Sequence, residues 1–287
     1  MNYTVIIITK NSGRILEKVI KSVLKQTIAP SEFIFIDNNS KDGTIELLLN
    51  YKKEYPFFRI FKIKIDVGAC REINLAVNMA NSSIVTIMDD DAILVNENWV
   101  ERAAVNLRNN IAVVWGNPSG ILDNKTYGEF FLGCAFLVSK EIFQKVGGYD
   151  DKFFLYENDT DLTVRLSRQG YRVLPLKNLK VIHPYGPKSP RYYEFALANR
   201  ILIYWKYYPY WISIVMTILH AFQEFKELKN FRVLKYWSKG IKRFFTNLYK
   251  IGLSHPNRMG FKEFIKSTYQ LRFPAFGYKL VKLLYDI

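Results

Sequence analysis

The chain holds only two cysteines, Cys70 and Cys134, far apart and with no CxxC pair. That excludes a disulfide framework and a thiolate zinc site, and it suits a reducing compartment. Long apolar runs are missing too. The N-terminal "MNYTVIIITK" breaks at Lys10, too soon for the apolar core of a signal peptide, so a cytoplasmic protein is expected. The apolar stretch 209–219 falls well short of the roughly 20 residues that a membrane span needs. No repeat or low-complexity linker marks a domain boundary.

What is present bounds the answer from the other side. With 49% hydrophobic residues over 287 positions, the chain can bury a sizeable core, which argues against disorder. The net charge of +15 is unevenly placed: from Arg191 onward there are 17 Lys and Arg against 5 Asp and Glu, a net +12. This shift in charge and aromatic content sets a boundary near Pro190, with one domain over 1–190 and a helical, basic and aromatic region over 191–287.

Strand-like and helix-like patterns alternate through the first half. Residues 4–9 are β-branched and apolar, and Ile15, Leu16, Val19, Ile20, Val23 and Leu24 then recur at helical spacing. The pattern repeats with strands over 33–37, 58–65 and 84–89 and helices over 42–53 and 70–80. Such alternation predicts an α/β fold, a Rossmann-like, mostly parallel sheet with flanking helices. In open sheets of this kind ligands bind beyond the carboxyl ends of the strands. The polar residues fall there: Thr9, Lys10 and Asn11 after the first strand, "DNNSKDGT" from Asp37 after the second, and Asp89, Asp90 and Asp91 at the end of the fourth. "DNNSKDGT" also reads as a turn and a capped helix. Three adjacent carboxylates repel one another at a strand end, and a divalent cation is the economical remedy. Mg2+ or Mn2+, which take hard oxygen ligands and bridge carboxylates to phosphates, are the expected cofactors.

Four segments taken together, "VIIITKNSGRILEKVIKSVLKQT", "FIFIDNNSKDGT", "DVGACREINLAVNMANSSIVTIMDDDA" and "GGYDDKFFLYENDTDLTVRLSRQGYRV", resemble family 2 glycosyltransferases with the GT-A fold. The resemblance covers about residues 1–183. It implies that Thr9, Lys10 and Asn11 border a nucleotide and that Asp37 accepts a hydrogen bond from the base. Arg71 and Asn74 would approach nucleotide or diphosphate, with Asp89 and Asp90 beside it, and Asp89 and Asp91 match the metal-binding DxD motif. His183, in "VIHPYG", matches a position where several members place a metal ligand, although a lone histidine beside proline also suits a structural role. The family's acidic motif before a helix matches "YENDTDL", with Asp159 at the position of the base and Glu157 or Asp161 as substitutes. Asn158 departs from the usual glutamate. Acidic residues also favour the first turn of a helix without any catalytic role. Gly133 would lie beside sugar and acceptor, or else simply pack in the core.

The implied reaction is inverting transfer from a nucleotide-diphosphate sugar to a hydroxyl of a glycan or lipid-linked acceptor. The departing diphosphate gains charge that a metal stabilises, and a carboxylate removes the acceptor's proton. The acceptor would be read by the loop between residues 116 and 130 and by the tail. The tail interleaves cations with aromatic residues, above all over 226–250, which suits peripheral contact with the inner face of the membrane. The same pattern suits nucleic acid, but that reading leaves the strand-end aspartates unexplained, so no nucleic-acid partner is expected. A sugar-nucleotide nucleotidyltransferase would want a glycine-rich loop where "TKNSGR" stands.

Overall fold

A computed structural model describes residues 1–118, 130–184, 190–227, 231–251 and 259–260. The expected acceptor loop therefore lies outside the described residues over 119–129, as does the tail over 261–287 and part of the 226–250 strip.

In chain order the elements are β1 (Tyr3–Thr9), α1 (Gly13–Leu24), β2 (Glu32–Asp37), α2 (Thr44–Glu54), β3 (Phe58–Lys62), α3 (Ala69–Met79), β4 (Ile84–Asp89), β5 (Ile93–Leu94), α4 (Trp99–Asn106), β6 (Ile111–Pro118), β7 (Ala135–Ser139), α5 (Lys140–Lys145), α6 (Asn158–Arg168), β8 (Arg172–Ile182), α7 (Pro190–Tyr207), α8 (Tyr210–Glu227) and α9 (Phe231–Ile251). The chain divides into two compact units. The first holds the sheet, over 1–118, 130–151 and 158–184, and the second holds 152–157 and the described residues from 190 on.

The sheet runs β3-β2-β1-β4-β7-β6-β8-β5. β1 pairs in parallel with β2 and β4, and β2 with β3, as the alternating pattern predicts. These strands read as unbroken apolar runs because helices cover both faces: Val5, Ile6 and Ile7 are fully buried, as are Phe33, Ile34, Phe35 and Ile36. α1 lays Leu16, Val19, Ile20 and Val23 onto this core at helical spacing. β3 stops at Lys62, short of the expected 65, and Ile65 points into solvent.

The sheet departs from parallel at β7, which is antiparallel to both neighbours, β4 and β6. β6 then pairs in parallel with β8. The consequence is geometric. β7 begins at the edge where β4 ends, so Cys134 accepts the Asp89 amide at 2.9 Å. β8 runs in the same direction as β4 and delivers His183 to that edge.

In the second unit, Leu197, Ala198 and Ile201 of α7 pack with Phe244 of α9. Gly240 permits the close approach: a Cβ there would stand 2.9 Å from the Glu194 carbonyl oxygen. Among the described residues, no helix is long and apolar enough to cross a membrane.

Candidate active site

The loops after β1 and β2 are stapled together. Asn11 and Asn39 sit in the left-handed region, φ 56° each, which asparagine tolerates better than most residues. The Asn11 amide donates to the Ser40 hydroxyl at 2.9 Å, and the Asn11 Oδ1 accepts from the Lys41 amide at 2.7 Å. Asp37 is fully buried and accepts the Ser40 N–H on its carboxylate. Thr9 is buried at the end of β1. Lys10 reaches across to Asp66, with Nζ 3.1 Å from Oδ2.

The three aspartates at the end of β4 go different ways. Asp90 turns towards the first loop, where its Oδ2 accepts from the Lys10 amide and the Ser12 hydroxyl. Burial pushes its carboxyl above the ordinary value, against the pull of those hydrogen bonds. Asp89 and Asp91 face His183 instead, whose Nε2 lies 3.2 Å from Asp89 Oδ2 and 3.2 Å from Asp91 Oδ1. The three ligand atoms lie within 4.8 Å of one another. Burial opposes protonation of His183, but the hydrogen bonds and charges of Asp89 and Asp91 outweigh it and push the imidazole up to about 10. Two carboxylates this close demand positive charge, which a proton on His183 or a cation bound to its neutral imidazole supplies. Two hard oxygen donors and one imidazole nitrogen, converging on one point from the ends of β4 and β8, fit Mn2+ or Mg2+ and suit Mn2+ better than Ca2+.

The residues of "YENDTDL" also separate. Asp161 is fully buried and paired with Arg165, at 2.8 Å from both Nε and Nη2. Glu157 belongs to the second unit, where Arg200 holds its carboxylate through Nε at 2.8 Å and through Nη2. Tyr156 and Glu157 are consecutive left-handed residues, φ 66° and 60°, and Asn199 secures them by donating to the carbonyls of Leu155 and Tyr156. Asp159, in the first turn of α6, is gripped differently: its Oδ2 accepts the Gly133 amide at 2.9 Å and its Oδ1 accepts the Tyr149 hydroxyl at 2.8 Å. Gly133 is required for that approach, because a Cβ would stand 2.5 Å and 2.6 Å from the two carboxylate oxygens.

Consecutive residues therefore join the two carboxylate groups: Gly133 donates to Asp159 while Cys134 accepts from Asp89. Asn74 does not point outward. Its Nδ2 donates to the Tyr149 carbonyl and its Oδ1 accepts the Tyr149 amide, both at 2.8 Å, so it anchors the residue that holds Asp159. Arg71 is exposed and pairs with Asp151 at 3.2 Å. Sequence reasoning missed Tyr149, Ser12 and Ser40. The only signal for Tyr149 was chemical, since a buried phenol seeks a hydrogen-bond partner.

Parallel strands that bring carboxylates and an imidazole to one edge, followed by an antiparallel strand that supplies a backbone donor, define a GT-A-type α/β fold. The fold resembles that of the mannosyltransferase PcManGT from Pyrobaculum calidifontis, solved with GDP-Man and Mn2+: TM-score 0.57 and 15% identity, covering 99% of this chain and 87% of that one. The chain belongs to glycosyl transferase family 2, whose pattern it matches over residues 4–161. It is 33% identical over 88 residues to the cholesterol galactosyltransferase of Borreliella burgdorferi, covering 31% of this chain and 24% of that protein. It is 27% identical over 127 residues to the Escherichia coli UDP-Glc:alpha-D-GlcNAc-diphosphoundecaprenol beta-1,3-glucosyltransferase WfgD, covering 44% of this chain and 49% of that protein. The match thus spans less than two thirds of the length of either relative.

Proposed function

We propose that this protein is an inverting, metal-dependent glycosyltransferase that moves a sugar from a nucleotide diphosphate to a hydroxyl of a glycan or lipid-linked acceptor. The observation that carries the reading is the junction at Gly133 and Cys134, which ties Asp159 to the strand end that presents Asp89, Asp91 and His183.

Asp159 is the base. Asp161 and Glu157 bind Arg165 and Arg200, whereas the Gly133 amide, the Tyr149 hydroxyl and the Asn158 side chain orient the Asp159 carboxylate beside the strand end that presents Asp89. Asp159 takes the proton from the acceptor hydroxyl as that oxygen bonds to the anomeric carbon and the bond from that carbon to the diphosphate breaks. Asp89, Asp91 and His183 would hold Mn2+ or Mg2+, which stabilises the charge left on the diphosphate. Thr9, Lys10, Asn11, Asp37 and Arg71 border the nucleotide, and Asn74 supports Asp159 through Tyr149. The acceptors named for the two relatives, cholesterol and a diphosphoundecaprenol, support a lipid-linked acceptor and peripheral action at the inner face of the membrane.

The test is calorimetric titration with UDP, GDP, dTDP and CMP, each with and without Mn2+. Metal-dependent binding of one nucleotide, lost in Asp91→Asn, is the expected result and names the donor class. Binding of none of them, or equal binding with and without metal, sinks the reading.

A further inference from the structure

α8 has two unlike faces. Ile212, Ser213, Met216 and His220 are buried inside the second unit, while Trp211, Ile214, Val215, Ile218 and Phe222 recur at three- and four-residue spacing and remain 38–63% exposed. Between Tyr210 and Phe222 the sequence contains no Lys, Arg, Asp or Glu. An outward helix face of aliphatic and aromatic side chains, with no charge to hold water, marks an interaction surface rather than a solvated one. α9 carries the complementary feature in the same unit. Lys235, Lys239 and Lys242 are exposed along one stripe, which continues into Phe245 and Tyr249.

We infer that the outward face of α8 is a docking surface for an anionic lipid bilayer, with the α9 lysines set against its headgroups. The contact expected from sequence over 226–250 supplies cations, and the structure adds an apolar face on a different helix. Charge decides the occupant. The region from Arg191 onward carries a net +12, which opposes the association of two copies and attracts an anionic bilayer, where α8 supplies the apolar contact and the α9 lysines the electrostatic one. Nucleic acid would match the lysines but leave Ile214, Val215 and Ile218 in water. The proposal rests on the transferase reading only for its purpose, bringing the enzyme to a lipid-linked acceptor; lipid binding is measured without any donor.

The experiment is flotation of the full-length protein with vesicles of phosphatidylcholine alone or mixed with phosphatidylglycerol. The wild type is expected to float with the mixed vesicles and to lose roughly fivefold in binding on pure phosphatidylcholine for each lysine that reaches the surface. Ile214→Ser combined with Ile218→Ser lowers binding by about tenfold or more, with an unchanged thermal melt because both side chains are exposed. Brominated lipids provide a second readout: they quench the tryptophan fluorescence of the wild type, and Trp211→Phe removes much of that quenching. Absence of flotation, or flotation unaffected by the two α8 substitutions, overturns the proposal. So does light scattering that shows a wild-type dimer and a monomeric α8 variant, which assigns the face to a second copy. Nucleotide calorimetry on the same samples separates the two readings, since flotation without nucleotide binding keeps the lipid face and removes the transferase.

Discussion

Gly133→Ala tests the site at its tightest point. The added Cβ would stand 2.5 Å from the nearer oxygen of Asp159, so the carboxylate must retreat by about 0.9 Å to reach an ordinary 3.4 Å contact. Retreat stretches the 2.9 Å bond from the Gly133 amide, and the Tyr149 hydroxyl, held at 2.8 Å on the other oxygen, resists it. A displacement of this size at a reacting group costs on the order of 10²-fold in turnover. Overpacking should destabilise the fold by about 1–3 kcal/mol, small enough for the protein to remain folded. The assay is turnover of the sugar nucleotide that calorimetry has identified, together with affinity for the nucleotide itself. Turnover should collapse while nucleotide affinity stays within about twofold, because Gly133 touches the proposed base, Asp159, and not the loops after β1 and β2. Wild-type turnover, or nucleotide affinity falling in step with turnover, would remove Gly133 from the support of Asp159.

Tyr149→Phe removes a hydrogen bond to a charged acceptor, of about 1.5–3 kcal/mol in general, and should lower turnover about tenfold with nucleotide affinity preserved; a steady-state comparison of kcat and KM checks it. Asp161→Asn takes a fully buried negative charge away from the half-buried Arg165 guanidinium and should cost roughly 3 kcal/mol, seen in urea unfolding, whereas a catalytic role would leave stability intact and abolish turnover. Glu32 gives a pH prediction. Burial raises its carboxyl, but hydrogen bonds from Asn81, Arg59 and Thr4 and the charge of Arg59 outweigh it and hold it below the usual range. Its folded value is depressed, so its contribution is present above the unfolded carboxyl value of about 4.3 and is lost as pH falls through the folded one. Glu32→Gln should flatten that acid limb in a series of thermal melts, and an unchanged limb would show that other groups cause it.

The alternation of strands and helices was legible because its causes are local: strands covered on both faces must be apolar throughout, and a helix shows its buried face at a 3.6-residue period. The strand-end carboxylates at Asp37 and Asp89–Asp91 were legible for the same reason, as polar groups that interrupt apolar runs. Local pattern alone therefore carried the α/β architecture and the edge at which the polar groups collect. The direction of β7 was not legible, because it has the same apolar pattern either way, and its antiparallel pairing brings Gly133 to Asp159, 26 residues away. What separates Glu157, Asp159 and Asp161 came from packing alone, in partners supplied by other turns and helices: Arg200, the Gly133 amide with Tyr149, and Arg165. The same packing turned Asn74 to Tyr149, 75 residues on, and buried Ile212 and Met216 of α8 while leaving Ile214 and Ile218 exposed. Periodicity records which face of an element is buried, whereas the register and direction of packed elements decide which distant side chains meet there.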